Sequence, residues 1–276
     1  MPTAEQLLRR LGAADAVLVT VQQVQGSGPR EPGAWMAVFA DAVGGTIGGG
    51  RLEFDAIAHA RELLATAGGG GTRRFALGPT LGQCCGGVVH LRFDAVGAGD
   101  IEPLRQRFGD AARQHMPIAL FGGGHVGHAI VRLLGTLPVR THWIDSRDEV
   151  FPEQLPANAR AEHSHPVQGA VPTLEAGSHV LIMSFSHAED LDVLAVCLKR
   201  QRERGDLPFI GLIGSKSKWA TFGHRLQVRG FAAAELAHVT CPIGVAGVRG
   251  KEPEVIALAV AAQLMQCRPL PAPEPG

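Results

Sequence analysis

Within Phe121-Gly122-Gly123-Gly124-His125-Val126-Gly127, the glycines Gly122, Gly124 and Gly127 keep a GxGxxG spacing between an apolar run and a helical pattern. Glycine there permits a tight turn and a close approach of backbone to a phosphate, and the helix that follows begins with unpaired N–H groups. Asp145 ends the next apolar run, at the separation of roughly 20 residues expected for an acceptor facing a ribose or a pterin ring. The same glycines would also suit plain helix–strand packing, and they do not make the ligand a nicotinamide. Gly214, Ser215 and Lys216, inside Gly211-Leu212-Ile213-Gly214-Ser215-Lys216-Ser217-Lys218, form a second strand-to-helix turn. A serine cap with a lysine at a helix start makes an anion seat. The alternative is an ordinary cap with solvated lysines, and the spacing is not that of a Walker A loop. The third candidate is Cys84-Cys85-Gly86-Gly87. Thiolates are soft ligands suited to molybdenum, copper or persulfide sulfur, and the glycines leave them accessible to a bulky ligand. A reactive thiolate also needs a cation close by, which the sequence does not identify.

These residues need elements to hold them. Residues 16–24 and 34–40 have strand character, separated by the turn-rich segment Gly26-Ser27-Gly28-Pro29-Arg30-Glu31-Pro32-Gly33. The run Gly48-Gly49-Gly50 leads into a helix over 51–66, and strands over 73–77 and 88–93 flank the cysteine loop. The turn, the glycine run and Cys241-Pro242-Ile243-Gly244 are further places where backbone could wrap a ligand, though each reads first as a turn. A polar helix over 100–114 follows. Beyond it, strands at 117–121, 139–144, 179–184 and 209–213 alternate with helices, the order of a doubly wound parallel sheet. Leu191, Leu194, Ala195 and Leu198 mark one apolar helix face, Trp219, Phe222 and Leu226 another, and a last helix opens at Pro253. The expected fold class is therefore α/β. An N-terminal α+β domain (1–98) is followed by a linker helix (99–116), a Rossmann-like domain (117–268) and a flexible tail (269–276).

The 276 residues carry 45% apolar and 19% charged side chains with a formal net charge of zero. A packed core is within reach, and a dedicated nucleic-acid binder, which needs a basic surface, is not indicated. The sequence has no apolar run of membrane-spanning length and its first residues lack the order of a secretory signal, so a soluble cytoplasmic protein with no membrane partner is expected. Five cysteines without a CxxC pair do not form a disulfide framework and should be free thiols, by default small buried hydrophobes. Twelve histidines show no HExxH or other metal spacing, and there is no GxSxG elbow.

Together the segments resemble the XdhC/CoxI family of xanthine dehydrogenase accessory proteins over nearly the whole chain. Gly26-Ser27-Gly28-Pro29-Arg30-Glu31-Pro32-Gly33-Ala34 resembles that family's GSxPRxPGA segment, and Gly48-Gly49-Gly50-Arg51-Leu52-Glu53 its SGGCxE segment. Gln83-Cys84-Cys85-Gly86-Gly87 is similar to its CGG loop, and residues 121–127 to its Rossmann turn. Ser186-His187 sits where the family has a Thr-His pair, residues 211–215 resemble GLIGS, and residues 241–263 its closing region. One departure is clear: the cysteine of SGGCxE is Arg51 here. Either Cys84 or Cys85 carries the sulfur-facing role, or that position is not essential.

The resemblance implies a protein that binds the molybdenum cofactor (molybdopterin) as cargo, holds it while a cysteine desulfurase supplies its terminal sulfido ligand, and hands it to the molybdenum-binding subunit of xanthine dehydrogenase. On that view the protein is a chaperone and no enzyme. Gly122, Gly124 and Gly127, or Gly214, Ser215 and Lys216, would hold the phosphate. Asp145 would orient the ring, and His187 would be a further cofactor-binding residue. Cys84, Cys85 and Gly86 would face the metal, with Cys85 preferred as the molybdenum-facing thiol because it directly precedes the glycine pair. A homodimer is compatible with this and has no motif of its own. The main rival is an NAD(P)-dependent oxidoreductase built on the same Rossmann turn, which leaves the cysteine loop and the first domain unexplained. A scaffold with a vestigial cofactor site ranks third.

Overall fold

The computed structural model describes residues 4–66, 68–78 and 86–268. The chain divides into two compact units, Met1–Ala111 and Ala112–Gly276.

Among the described residues, the first unit is built on a five-stranded antiparallel sheet. Its strands are β1 (Ala16–Gln25), β2 (Trp35–Val38), β3 (Val43–Gly45), β4 (Gly71–Ala76) and β5 (Val88–Val96), in the order β3-β2-β1-β5-β4. Period-2 alternation sorts β1 onto two cores. Val17, Val19 and Val21 pack with Leu52, Ala56 and Ala60 of helix α2 (Gly50–Thr66). Ala16 and Leu18 face the other way, toward Leu7, Leu8 and Leu11 of α1 (Ala4–Leu11) and Leu104 of α3 (Ile101–Arg113). Both faces are covered, so the first six residues of β1 are all buried. The polar helix expected over 100–114 thus docks an apolar stripe, Ile101, Leu104 and Phe108, onto this sheet. Two elements carry no strong sequence signal. The N-terminal helix is short, and β3 is mostly glycine, held by its antiparallel pairing with β2.

The second unit is a Rossmann domain. Its six parallel strands are β6 (Met116–Phe121), β7 (Val139–Asp145), β8 (Ala159–His163), β9 (His179–Ile182), β10 (Phe209–Leu212) and β11 (Val239–Thr240), in the order β11-β10-β9-β6-β7-β8. Counted from the first strand of the unit, this is the 3-2-1-4-5-6 order of dinucleotide-binding sheets. Helices α4 (His125–Leu134) and α8 (Pro253–Cys267) cover one face, over Ile118, Leu120, Trp143 and Leu181. Helices α5 (His187–Arg204) and α6 (Lys216–Val228) cover the other, over Ala119, Phe121, Ile182 and Leu212. Burial on both faces explains why the inner strands read as continuous apolar runs. The edge strand β8, Ala-Arg-Ala-Glu-His, is half exposed and polar, so hydropathy does not reveal it. A short helix α7 (Ala233–Leu236) precedes β11. Among the described residues no helix is long and apolar enough to cross a membrane.

Candidate functional site

In the second unit, β6 runs between β7 and β9 in the sheet while their connections leave in opposite directions. The crevice beyond the carboxyl ends of these strands is the topological switch point, where such sheets take ligands. The glycine turn stands there, and its three glycines divide in role. Gly122 has φ +128°, and a Cβ on it would collide with the Met183 carbonyl. A Cβ on Gly127 would collide with the Gly122 carbonyl, so that glycine sets how closely α4 packs on the turn. Gly124 is different: it is exposed, it caps α4, and nothing lies within 4 Å of where its Cβ would be. Packing accounts for two of the glycines, and the third faces open space.

Asp145 lies at the end of β7, where the spacing put it, but it is 1% exposed and already engaged. Its Oδ1 accepts from the Arg147 N–H and Nε, each at 2.9 Å. Its Oδ2 accepts from the Gly123 N–H and from Arg147 Nη2. Four bonds use the four acceptor sites of a carboxylate. Asp145 therefore acts on the site through what it holds, the glycine turn and Arg147, and has no lone pair left to orient a ring. Burial would raise its pKa, but the hydrogen bonds from Arg147 and the Gly123 N–H outweigh that and hold it below the usual carboxylate range. The Arg147 guanidinium lies 4.3 Å over the ring of Phe185, which follows β9 and is 67% exposed. Beside this contact Ser146 Oγ donates to Glu189 Oε1 at 2.7 Å.

The other residues expected here fall into place along the same sheet edge. Ser186 caps α5, accepting from the Glu189 N–H, and His187 is the first residue of that helix, exposed and edge-on to the Phe222 ring. Ser215 caps α6 by accepting from the Lys218 N–H at 3.2 Å. Gly214 and Lys216 are exposed, and a Cβ on Gly214 would press on Lys218 Cδ and approach Cys241 Sγ. Of the lysines, Lys218 turns inward. Its Nζ donates to Asp190 Oδ2 at 2.6 Å and to the Ile213 carbonyl, while Asp190 Oδ1 accepts from the Ser184 N–H. Cys241, directly after β11, is half-buried next to this pair. Burial pushes its thiol pKa up, against the lowering influence of Lys218.

In the first unit three segments converge at one sheet end. A Cβ on Gly87 would collide with the Ser27 carbonyl, and one on Gly26 would lie 3.4 Å from Gly87 Cα. A Cβ on Gly48 would collide with the Pro29 ring, so the turn over 26–33 meets the Gly86-Gly87 pair backbone to backbone and the glycine run through the Pro29 side chain. The glycine run is held from within: Glu53 Oε2 accepts from Thr46 Oγ1 and from the N–H groups of Ile47 and Gly49. Gly86 is exposed, and nothing lies within 4 Å of where its Cβ would be, whereas Cys84 and Cys85 lie outside the described residues. Among the described residues no three His, Cys, Asp or Glu groups come together as a metal site.

A family profile described as XdhC Rossmann domain matches residues 118–264, and one described as XdhC and CoxI family matches residues 12–76. The chain belongs to the XdhC/CoxI family. The two matches take in the glycine turn, Ser215 and Cys241 in the Rossmann unit, and the turn and glycine run of the first. Among curated relatives, the uncharacterized protein YqeB of Escherichia coli is 26% identical over 251 residues, 88% of this chain. The chain spans 42% of that relative's length. A solved xanthine dehydrogenase structure from Bacillus halodurans has the same fold, with a TM-score of 0.75 at 20% identity over 96% of this chain and 95% of that one.

In this XdhC/CoxI chain, spacing singled out the glycine turn and Asp145, a capping pattern Ser215 and the family resemblance His187, and the structure sets all four at the carboxyl ends of the parallel strands. The sequence reading passed over Arg147, Phe185, Glu189 and Asp190, and named Lys218 only as one of the lysines near the Ser215 cap. Strand order, which no local pattern encodes, brings Phe185 to Arg147, Glu189 to Ser146 and Asp190 to Lys218. A signal did exist for Arg147, a basic residue two positions after the strand-end acid. At the family's cysteine position, Arg51 stands exposed at the start of α2 and pairs with Asp55 at 2.8 Å.

Proposed function

We propose that this chain is an accessory protein that binds the molybdenum cofactor for a molybdenum hydroxylase of the xanthine dehydrogenase kind. It holds this cargo while a cysteine desulfurase supplies the terminal sulfido ligand, and then hands it on. The observation that carries the reading is the switch-point crevice of a family-typical Rossmann unit whose strand-end acid is fully engaged. A nicotinamide dinucleotide normally finds a free carboxylate there for its ribose hydroxyls; Asp145 offers none. The open approach at Gly124 and the N-terminus of α4 suit a terminal phosphate. Ser215 and Lys216 are the second candidate seat. In the first unit, the exposed Gly86 leaves open space, and the neighbouring Cys84 or Cys85 is the proposed soft ligand.

The test is an anaerobic titration of the full chain with molybdenum cofactor released from a donor protein, comparing wild type with Cys85→Ala and with Cys84→Ala/Cys85→Ala. Tight binding by wild type, with weaker retention or faster cofactor oxidation in the variants, is the expected outcome. Folded wild type that ignores the cofactor and binds NAD or NADP would sink the reading in favour of an oxidoreductase.

A further inference from the structure

Two contacts bridge the carboxyl end of β6. Ser146 and Arg147 follow β7; Phe185 and Glu189 follow β9; and β6 lies between those strands. The Ser146–Glu189 hydrogen bond and the Arg147–Phe185 stacking contact therefore both cross above the glycine turn. Under this bridge the polar groups are not all satisfied. Glu189 Oε2 is closed to solvent and has no hydrogen-bond partner among the described residues, and the same is true of Ser184 Oγ. A buried carboxylate oxygen without a donor is costly, and such an atom in a native protein calls for an explanation. Phe185 shows the complementary anomaly, a large aromatic ring 67% exposed beside that oxygen's helix.

We propose that Glu189 is the ring-reading residue of this crevice. It accepts the paired N–H donors of a 2-amino-4-oxopyrimidine edge, the edge shared by pterins and guanine, while Phe185 stacks on the ring face. This deepens the cofactor-binding reading and rests on it. A carboxylate with one oxygen already oriented by Ser146 and the other waiting matches two adjacent N–H groups, as it matches the two donors of a guanidinium. Arg147 stays with Asp145, whose hydrogen bond chiefly raises its pKa; the charges of Glu149 and Glu189 add to the effect. Access to Oε2 requires the Arg147–Phe185 stack to part while the Ser146 hydrogen bond stays. One cation–π contact at an exposed ring holds that stack, weak beside the packed core below.

The experiment is a fluorescence titration of the full chain with 6-carboxypterin, 6-carboxylumazine and guanosine monophosphate. Lumazine replaces the 2-amino donor with a carbonyl that a carboxylate repels. Wild type is expected to favour the pterin over the lumazine by at least about tenfold. Glu189→Gln should erase that ratio, and Phe185→Ala should weaken both pteridines alike. The wild-type ratio needs no variant, so a folding defect in either one does not obscure it. Equal binding of pterin and lumazine, or a ratio unchanged in a folded Glu189→Gln protein, overturns the proposal. Molybdenum cofactor bound equally by wild type and Glu189→Gln would overturn it while leaving the cofactor reading intact. Guanosine monophosphate preferred over pterin, with the same loss in Glu189→Gln, would keep Glu189 as the ring reader and remove the cofactor as cargo.

Discussion

Lys218 and Asp190 form an ion pair 2.6 Å long, with side chains 11% and 3% exposed, that ties the helix after β9 to the helix after β10. Because Asp190 also accepts from the Ser184 N–H, the pair fixes the loop that carries Phe185 and Ser186. Removing one partner leaves a buried charge unmatched. Lys218→Met is expected to destabilise the Rossmann unit by roughly 3 to 5 kcal/mol. The double change Lys218→Met/Asp190→Leu should recover part of that loss, read as urea midpoints from tryptophan fluorescence. A single variant as stable as wild type would show that the pair is not buried in solution.

The three glycines of the turn should separate in a stability assay. Gly122→Ala meets both a positive φ and the Met183 carbonyl, and is expected to cost roughly 3 kcal/mol or more. Gly124→Ala meets open space and should cost at most about 1 kcal/mol, the preference for glycine over alanine at a helix cap. On the proposed reading, in which a phosphate is seated at Gly124, it should nevertheless weaken binding of a phosphate-bearing cargo about tenfold. Thermal melts paired with cofactor titrations distinguish the two. Equal stability losses for the two variants would assign Gly124 to packing as well.

Acid should weaken the Rossmann unit through Asp145. Its pKa is depressed in the folded state, so its contribution is full above the unfolded value of about 3.9 and is lost as pH falls through the lower folded value. Asp145→Asn should be less stable than wild type at pH 7, and the gap should close as the pH drops below 4. Urea midpoints across pH 2.5 to 7 measure this; a gap that stays constant would place the stabilisation elsewhere.

Thiol labelling should rank the described cysteines by environment. Burial pushes the Cys197 pKa up to about 12, and this thiol should resist alkylation in the native protein at pH 8. Cys267 is exposed and should react first, with Cys241, half-buried, slower. Mass spectrometry of alkylated peptides over time gives the order. Early modification of Cys197 would mean that the helix carrying it opens readily.

The sequence by itself determined the class of each unit and the identity of the turns. GxGxxG after an apolar run, Ser215 before a helical pattern and the alternation of β1 are local signals, because backbone conformation at a glycine, a cap or a pleat depends on near neighbours. The same locality explains what was hidden. The edge strand β8 is polar because one side meets water, and β3 exists only through its pairing with β2. Tertiary structure decided which acid does what. Asp145 and Glu189 are both acidic residues near a strand or helix end, and although spacing singles out Asp145, nothing in the sequence tells which of the two keeps a free acceptor. The local turn folds Arg147 onto Asp145, the Gly123 N–H from the neighbouring strand end completes its acceptors, and strand order sets Glu189 across the end of β6 with one oxygen unmatched among the described residues. Hydrogen-bond saturation is a property of three-dimensional neighbours, and that is why the spacing indicated Asp145 while Glu189, the proposed ring reader, emerged only from the fold.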